Sequence, residues 1–504
     1  MRRAVRSLAA AVVVGGATGI WLIARWARRA RGGDVAVQGS SRVARSLGVA
    51  RLGGRTGSAY AVHRARRVFA DAERRQELDA RFQLRTAEEV TAALGNMKGA
   101  LMKIGQMASY LDQGLPEPMR QTLAELLQDA PPMSGGLAAD VVERELGAAP
   151  DVRFAEWDET PIAAASIGQV HRAITHDGVA VAVKVQYPGI AEAVRADLDN
   201  ADLLFTAMGM MFPGLDPAPL VEELRARLVE ELDYRTEAAN QKLFAGYYAD
   251  HPFIHIPAVI DSLSTELVLT TELATGARFS EVERWERSER DLAGEAIYRF
   301  VFRSLYRLHA FNGDPHPGNY LFRPGGRVTF LDFGLVKRFR DPEIAVFQAM
   351  IQAVVYDHDL ARYRSILAEI GLLRDGARFS DEQIEEYFGH FYEFVRGDGP
   401  FTITPEWSSG VVRRFFDVSG PYGEVAKAAN LPPSFLIIQR INLGLGAVLG
   451  ELRVTRNWRR IAEELWPWID APPSTGLGEE EAAWLRSHPR SATPPSRPMP
   501  NLRR

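Results

Sequence analysis

Cysteine is absent from all 504 residues, which removes disulfides, thiolate metal sites and thiol nucleophiles from the chemistry open to this chain. Any catalysis has to use carboxylates, Lys, His, hydroxyls or a bound metal. No solenoid-type repeat is present either. Acidic residues are scarce at one end: positions 1 to 75 hold sixteen Arg against Asp34, Asp71 and Glu73. The overall net charge of −4 therefore conceals a remainder that carries −17. What is plentiful is apolar content, 46% against 25% charged, which excludes a disordered chain and at this length suggests two or more packed units.

Charge is also missing from the eighteen residues SLAAAVVVGGATGIWLIA between Arg6 and Arg25. As a helix this run is roughly 27 Å long, close to the hydrocarbon thickness of a bilayer. A cleaved signal peptide and a buried helix are the competing readings. No small-x-small cleavage site follows the run, so residues 1–31 are read as a membrane anchor with the main body of the chain in the cytoplasm. Residues 32–80, rich in Gly, Ser and Arg, read as a basic linker able to lie on anionic lipid. The Arg cluster flanks an apolar span rather than interleaving with aromatics, so no nucleic acid is expected as partner.

The rest alternates in character. Residues 81–140 show apolar spacings of three and four, as in ALGNMKGALMKIGQMASYL, and read as a helical extension. From 141 to 272 short alternating runs predict a small sheet with inserted helices: a strand, a small-residue loop at Ala163–Ser166, a strand, a turn at Asp177-Gly178 and the strand VAVKVQ. From 273 to 470 helices dominate, and the Pro-, Ser- and Arg-rich stretch 471–504 reads as a disordered tail. The fold class is α+β, with a bilobal arrangement.

The strongest chemical signal is GDPHPGNYLFRPGGRVTFLDFGLVK, residues 313–337. Asp314 precedes Asn319 by five positions, and Asn319 precedes Asp332 of an Asp-Phe-Gly triplet by thirteen, with a predicted hairpin between them. A loop and a tight hairpin can bring an amide oxygen and a carboxylate together to hold Mg²⁺ or Mn²⁺ against nucleotide phosphates, while a second Asp faces the acceptor. Protein kinases space their catalytic Asp, metal Asn and Asp-Phe-Gly Asp in the same way. Lys184 in VAVKVQ suits a strand lysine reaching phosphate oxygens, and its flexible stem needs a carboxylate to hold it. The stretch VEELRARLVEELDYRTEAANQKLF, read as one helix, puts Asp233 and Glu237 on one face with Glu231 pointing away. Glu237 is the favoured partner for Lys184. His171 and His316 receive no catalytic role, the latter because it sits between Pro315 and Pro317.

Lys103-Ile104-Gly105-Gln106, AAASIGQVH, VAVK, ELDYRTEAAN, DPHPGN and LDFG occur here in an order that resembles the UbiB/AarF family of atypical kinase-like proteins, over about residues 95 to 465. The resemblance implies a kinase-like fold that binds ATP with Mg²⁺ or Mn²⁺. It makes Asp314 catalytic, gives Lys184 and Glu237 to the nucleotide pair, and assigns Asn319 and Asp332 to the metal. It places Ala163, Ala164, Ala165 and Ser166, with Glu272 and Ala274, around the nucleotide. Lys103 and Gln106 become a regulatory lid faced by Glu231 and Asp233. The alanine-rich loop, standing where ordinary kinases have glycines, implies ATPase or small-molecule work over protein phosphorylation. Ala lacks the positive-φ freedom of Gly, which agrees in direction. The family link is to isoprenoid quinone biosynthesis and membrane lipids, so the implied partners are ATP, membrane lipids, and a quinone or isoprenoid-lipid precursor or its biosynthetic enzymes. The alternatives are a small-molecule or protein kinase and a nucleotide-binding pseudokinase scaffold.

Overall fold

The computed structural model describes residues 135–191 and 232–489, apart from 166, 314, 374–378, 417–419 and 430–432. Lys103, Gln106, Ser166, Glu231 and Asp314, together with the proposed anchor 1–31 and linker 32–80, lie outside the described residues. Among the described residues no helix is long and apolar enough to cross a membrane.

Among the described residues two separate hydrophobic clusters mark two lobes. The smaller one is built on helix α1 (Gly135–Leu146), strands β1 (Glu156–Trp157), β2 (Ala163–Ala165), β3 (Gly168–Ile174) and β4 (Ala180–Gln186), and, after helix α2 (Tyr234–Tyr247) and strand β5 (Ile254–His255), strand β6 (Val268–Glu272). β3, β4 and β6 run antiparallel in that order, with β1 and β2 sharing the outer edge of β3. Strand parity sorts β4 cleanly: Val181, Val183 and Val185 are fully buried and pack with Ala138, Val141, Val142 and Phe154, so Ala182 and Lys184 face the other way. Helix α1 thus belongs to this lobe and crosses the expected boundary at 140. Thr175 and Val179 close the β3–β4 hairpin, with Gly178 at φ +83°, as the Asp-Gly signal predicts.

Two expectations need correction here. Ala163–Ala165 is a strand paired with Gly168–Val170, not a loop, because the small side chains let a tight hairpin stay in ladder register. In the described part of the predicted helix through 221–244, the helix starts only at Tyr234: Asp233 is extended and caps α2, accepting a hydrogen bond from the Arg235 amide at 2.9 Å. An Asp at this point satisfies an orphan amide of the first turn, so it does not share a helix face with Glu237.

The larger lobe begins with helix α3 (Arg287–Arg303), which runs into a π turn, Ser304–Leu308, ending on His309 at φ +47°. Strand β7 (Ala310–Asn312) follows, then the hairpin β8 (Tyr320–Arg323) and β9 (Arg327–Phe330), and β10 (Val336–Arg338), which pairs back with β7. The predicted hairpin is present, turning through Gly325 and Gly326 at φ +79° and +71°. β5 joins β9 in parallel, so a strand from the smaller lobe's connection is sewn into the larger lobe's sheet. Helices α4 (Asp341–Ile351), α5 (Pro405–Phe416), α6 (Pro433–Glu451) and α7 (Trp458–Leu465) complete the packing. Gly444 of α6 lies so close to Pro315 that a Cβ there would meet Pro315 Cγ at 2.3 Å, which seats α6 against the loop carrying the DPHPGN sequence.

The tail is not disordered where it is described. Helix α8 (Gly476–Ser487) is capped by Thr475, which accepts from the Gly478 amide at 3.0 Å. It buries Leu477, Glu481 and Trp484. Glu481 accepts from Arg299 Nη1 at 2.9 Å and Arg303 Nε at 3.0 Å, and Arg299 also holds Glu295 and Glu464 at 2.9 Å each. Burial alone would push the Glu481 carboxyl up, but Arg303 and Arg299, with His251, outweigh it and hold it well below the usual carboxylate range. Trp484 donates to the Ala249 carbonyl at 3.0 Å, beside the C-terminal end of α2.

Candidate active site

The face of the small sheet that carries Lys184 is set by register. Ala163, Val170, Lys184 and Leu269 lie in one row across β2, β3, β4 and β6, and cross-strand partners share a face. The lysine is thus flanked by small and aliphatic side chains. Gly168 lets the start of β3 approach closely, since a Cβ there would meet the Val185 carbonyl at 2.3 Å and the Tyr234 hydroxyl at 2.8 Å.

Lys184 is the centre of charge. Its Nζ donates to both oxygens of Glu237, at 2.8 and 2.9 Å, stands 3.5 Å from Asp332 Oδ2, and sits over the Tyr234 ring at 5.1 Å. Burial alone would lower its pKa, but Asp332 and then Glu237 outweigh that and raise it well above the ordinary lysine value. Glu237 is 4% exposed; a buried carboxylate without its ammonium would be costly, so each residue requires the other.

Asp332 is oriented from several sides. Its Oδ1 accepts from the Gly334 amide at 2.9 Å, and its carbonyl accepts from Asn312 Nδ2 at 2.6 Å. Asn319 is tied to the same place through the backbone, its carbonyl accepting from the Leu331 amide at 3.0 Å. Among the described residues no cluster of three or more His, Asp or Glu could hold a metal ion by itself. One carboxylate, one amide oxygen and an adjacent ammonium instead fit a hard cation that arrives with phosphate oxygens as its remaining ligands, as Mg²⁺ characteristically does.

The remaining sequence candidates sit as follows. Glu272 ends β6 and Ala274 lies two residues beyond, at the junction of the lobes; the Glu272 side chain turns to His255 Nε2 at 3.4 Å and the Ala258 amide at 3.4 Å. Asp233 caps its own helix. His171 is buried, stacked on Trp157 and bonded to the Asp158 carbonyl at 2.8 Å, and His316 caps the Pro317–Asn319 turn through the Gly318 amide, so both histidines serve backbone structure.

Sequence reasoning missed two neighbours of Glu237 on α2. Asn240 donates to the Phe333 carbonyl at 3.2 Å and accepts from Arg338 at 3.3 Å, and Gln241 donates to the Pro257 carbonyl at 2.7 Å. The signal available was their spacing, three and four after Glu237, which puts polar residues on the face that Glu237 buries.

A strand lysine clamped by a helix glutamate, facing an Asp-Phe-Gly carboxylate across the junction of a sheet lobe and a helical lobe, defines a protein-kinase-like fold. Residues 125–366 match the ABC1 atypical kinase-like domain. The chain is 37% identical over 256 residues to the rat mitochondrial atypical kinase COQ8B, covering 50% of this chain and 48% of that protein. It is 29% identical over 266 residues to the mitochondrial atypical kinase COQ8 of Saccharomyces cerevisiae, covering 52% and 53%. The match thus spans about half the length of these relatives. Among solved structures, the complex of Rv3197 with erythromycin from Mycobacterium tuberculosis is similar at 32% identity and a TM-score of 0.57, covering 78% of this chain and 98% of that one. The chain belongs to the UbiB/AarF family of atypical kinase-like proteins.

Proposed function

We propose that this protein binds ATP with Mg²⁺ or Mn²⁺ between its lobes and works as an atypical kinase-like ATPase or kinase in support of isoprenoid quinone or membrane-lipid metabolism. The observation that carries the nucleotide reading is Lys184 held between Glu237 and Asp332. In this reading Asn319 and Asp332 hold the metal, and Lys184 meets phosphate oxygens while Glu237 keeps it aimed. Ala163, Ala164, Ala165 and Ser166 cover the phosphates, and Glu272 with Ala274 borders the nucleotide at the lobe junction. When bound, the metal neutralises phosphate charge. Asp314 addresses the attacking group, water or an acceptor hydroxyl.

The quinone or lipid assignment rests on family membership, and the membrane location on the apolar run before Arg25. Lys103 and Gln106, with Glu231, form the lid of this reading. Asp233 belongs to the same reading, beside its capping role.

The test is metal-dependent nucleotide binding and phosphate release by the full chain, with and without anionic vesicles, for wild type, Asp332→Asn and Asp314→Asn. Asp332→Asn is expected to lose metal-dependent binding, and Asp314→Asn to bind nucleotide but lose turnover. Undiminished binding in Asp332→Asn overturns the site assignment.

A further inference from the structure

Glu237 and Asp332 reach the same ammonium from different parts of the chain, one on α2 and the other on the turn after β9. Two carboxylates this close repel each other, the shared ammonium offsets that repulsion, and further contacts between their two segments fix their relative position more tightly. Asp332 is anchored to the larger lobe by the Asn312 amide on its carbonyl and by its own bond to the Gly334 amide. The next residue of the triplet is anchored to α2 instead. Asn240 Nδ2 donates to the Phe333 carbonyl at 3.2 Å, while Asn240 Oδ1 accepts from Arg338 Nη2 at 3.3 Å, on the strand that leaves the triplet. Asn240 is 7% exposed and lies one turn beyond Glu237. A second turn on, the Phe244 ring meets the Phe333 ring at a centroid distance of 5.0 Å. The face of α2 that presents Glu237 to Lys184 therefore also grips the triplet that presents Asp332.

Resting on the nucleotide reading above, we propose that Asn240 is a positioning residue that locks the helix carrying Glu237 to the turn carrying Asp332, and so sets the geometry in which metal and phosphates are held. The side-chain chemistry fits this position. A primary amide offers a donor and an acceptor on one short stem, and both are used here, on two segments of the metal-bearing turn. A carboxylate has no N–H for Phe333, and an apolar residue serves neither segment. Glu272 and Ala274, which border the nucleotide in the reading above, are not among the partners of Asn240, so the two halves of the ligand should respond differently.

The experiment compares binding of Mn²⁺-ATP with binding of adenosine, without metal, in the full chain. Asn240→Leu keeps the volume of the side chain and removes both hydrogen bonds; Arg338→Ala removes only the second. Asn240→Leu is expected to weaken Mn²⁺-ATP binding about tenfold or more, since two hydrogen bonds are lost together, and to leave adenosine affinity within about twofold. Arg338→Ala should produce the smaller loss. In the ligand-free protein, amide exchange of Asn240→Leu should quicken in 234–241 and 332–336 together. If Asn240→Leu does not fold, Asn240→Ser is read in the same way. Mn²⁺-ATP affinity equal to wild type, or equal losses for both ligands, overturns the positioning role while leaving the nucleotide reading intact. Failure of the wild type to bind Mn²⁺-ATP overturns that reading, and this role with it.

Discussion

A lysine touching two carboxylates is the chemical focus of this protein, and the energetics of the three residues are unequal. Glu237 is the more deeply buried partner, with both oxygens on Nζ, whereas Asp332 stands farther off at 3.5 Å and keeps a quarter of its side chain exposed. The closer pair fixes the lysine; the looser one keeps an exposed side at which a cation can be met. Removing either partner of the closer pair should therefore harm the fold, and removing Lys184 should weaken ligand binding as well. Glu237→Ala is expected to cost about 3 to 5 kcal/mol, as for a buried pair broken from one side, read by urea denaturation. Lys184→Met should weaken ATP binding about 10- to 100-fold, the range of a charge-assisted hydrogen bond of about 1.5–3 kcal/mol, read by titration of a fluorescent ATP analogue. An Lys184→Met protein that binds ATP as tightly as wild type would remove the lysine from the site.

Helix α8 supplies the corresponding lesson for an element. Glu481 receives both Arg299 and Arg303 of α3, and all three side chains are almost fully buried. Glu481→Ala should leave two guanidinium groups short of their shared acceptor and lower stability by about 3 to 5 kcal/mol, a loss that a shift in urea midpoint at unchanged slope would register. An unchanged midpoint would mean that Glu295 and Glu464 suffice. This helix also marks the limit of what the sequence discloses. Lys184 was legible because strand parity separates it from Val181, Val183 and Val185, and Glu237 because helical spacing left few acids to choose from. Helix α8 was not, because the Pro- and Ser-rich residues around it dominate local composition, and the partners that order it are 182 and 178 positions away. The stripe Leu477, Glu481, Trp484 was present, but its burial depends on Arg299 and Arg303, whose own burial no local pattern declares. Asn240 stayed hidden for a similar reason: its donor meets a backbone carbonyl 93 residues distant, and carbonyls leave no mark in a sequence. Asp233 is the reverse case: its spacing from Glu237 points to a shared helix face, whereas the residue stands outside the helix and caps it.

For the molecule as a whole, pH dependence comes from groups outside the site. His390 is buried in the larger lobe with Nδ1 beside the Tyr387 carbonyl and Nε2 3.3 Å from the Val411 carbonyl, and the single N–H of its neutral ring serves one of the two. Burial first, and then the positive charge of Arg414, lower its pKa from 6.5 to about 4. The unfolded chain therefore takes up a proton that the folded one refuses, and stability falls as pH drops below 6.5 until the folded form titrates near 4. Between pH 7 and pH 5 this amounts to about 2 kcal/mol, and replacement of His390 by Gln should flatten that part of a stability profile measured by urea denaturation. Glu481 acts in a lower window. Its depressed pKa stabilises the fold above the ordinary carboxylate range and is forfeited as pH falls through the folded value, so a second loss should begin below about pH 4.3. The same carboxylate has a consequence in time. Arg299 is synthesised 182 residues before Glu481, and at about 5–20 residues per second a ribosome separates the two by about 9 to 36 s. Throughout that interval the guanidiniums destined for the middle of the larger lobe have no Glu481 to receive them. Final closure of that lobe therefore waits for Glu481 to be made, and a nascent chain stalled before residue 481 lacks the carboxylate that receives Arg299 and Arg303.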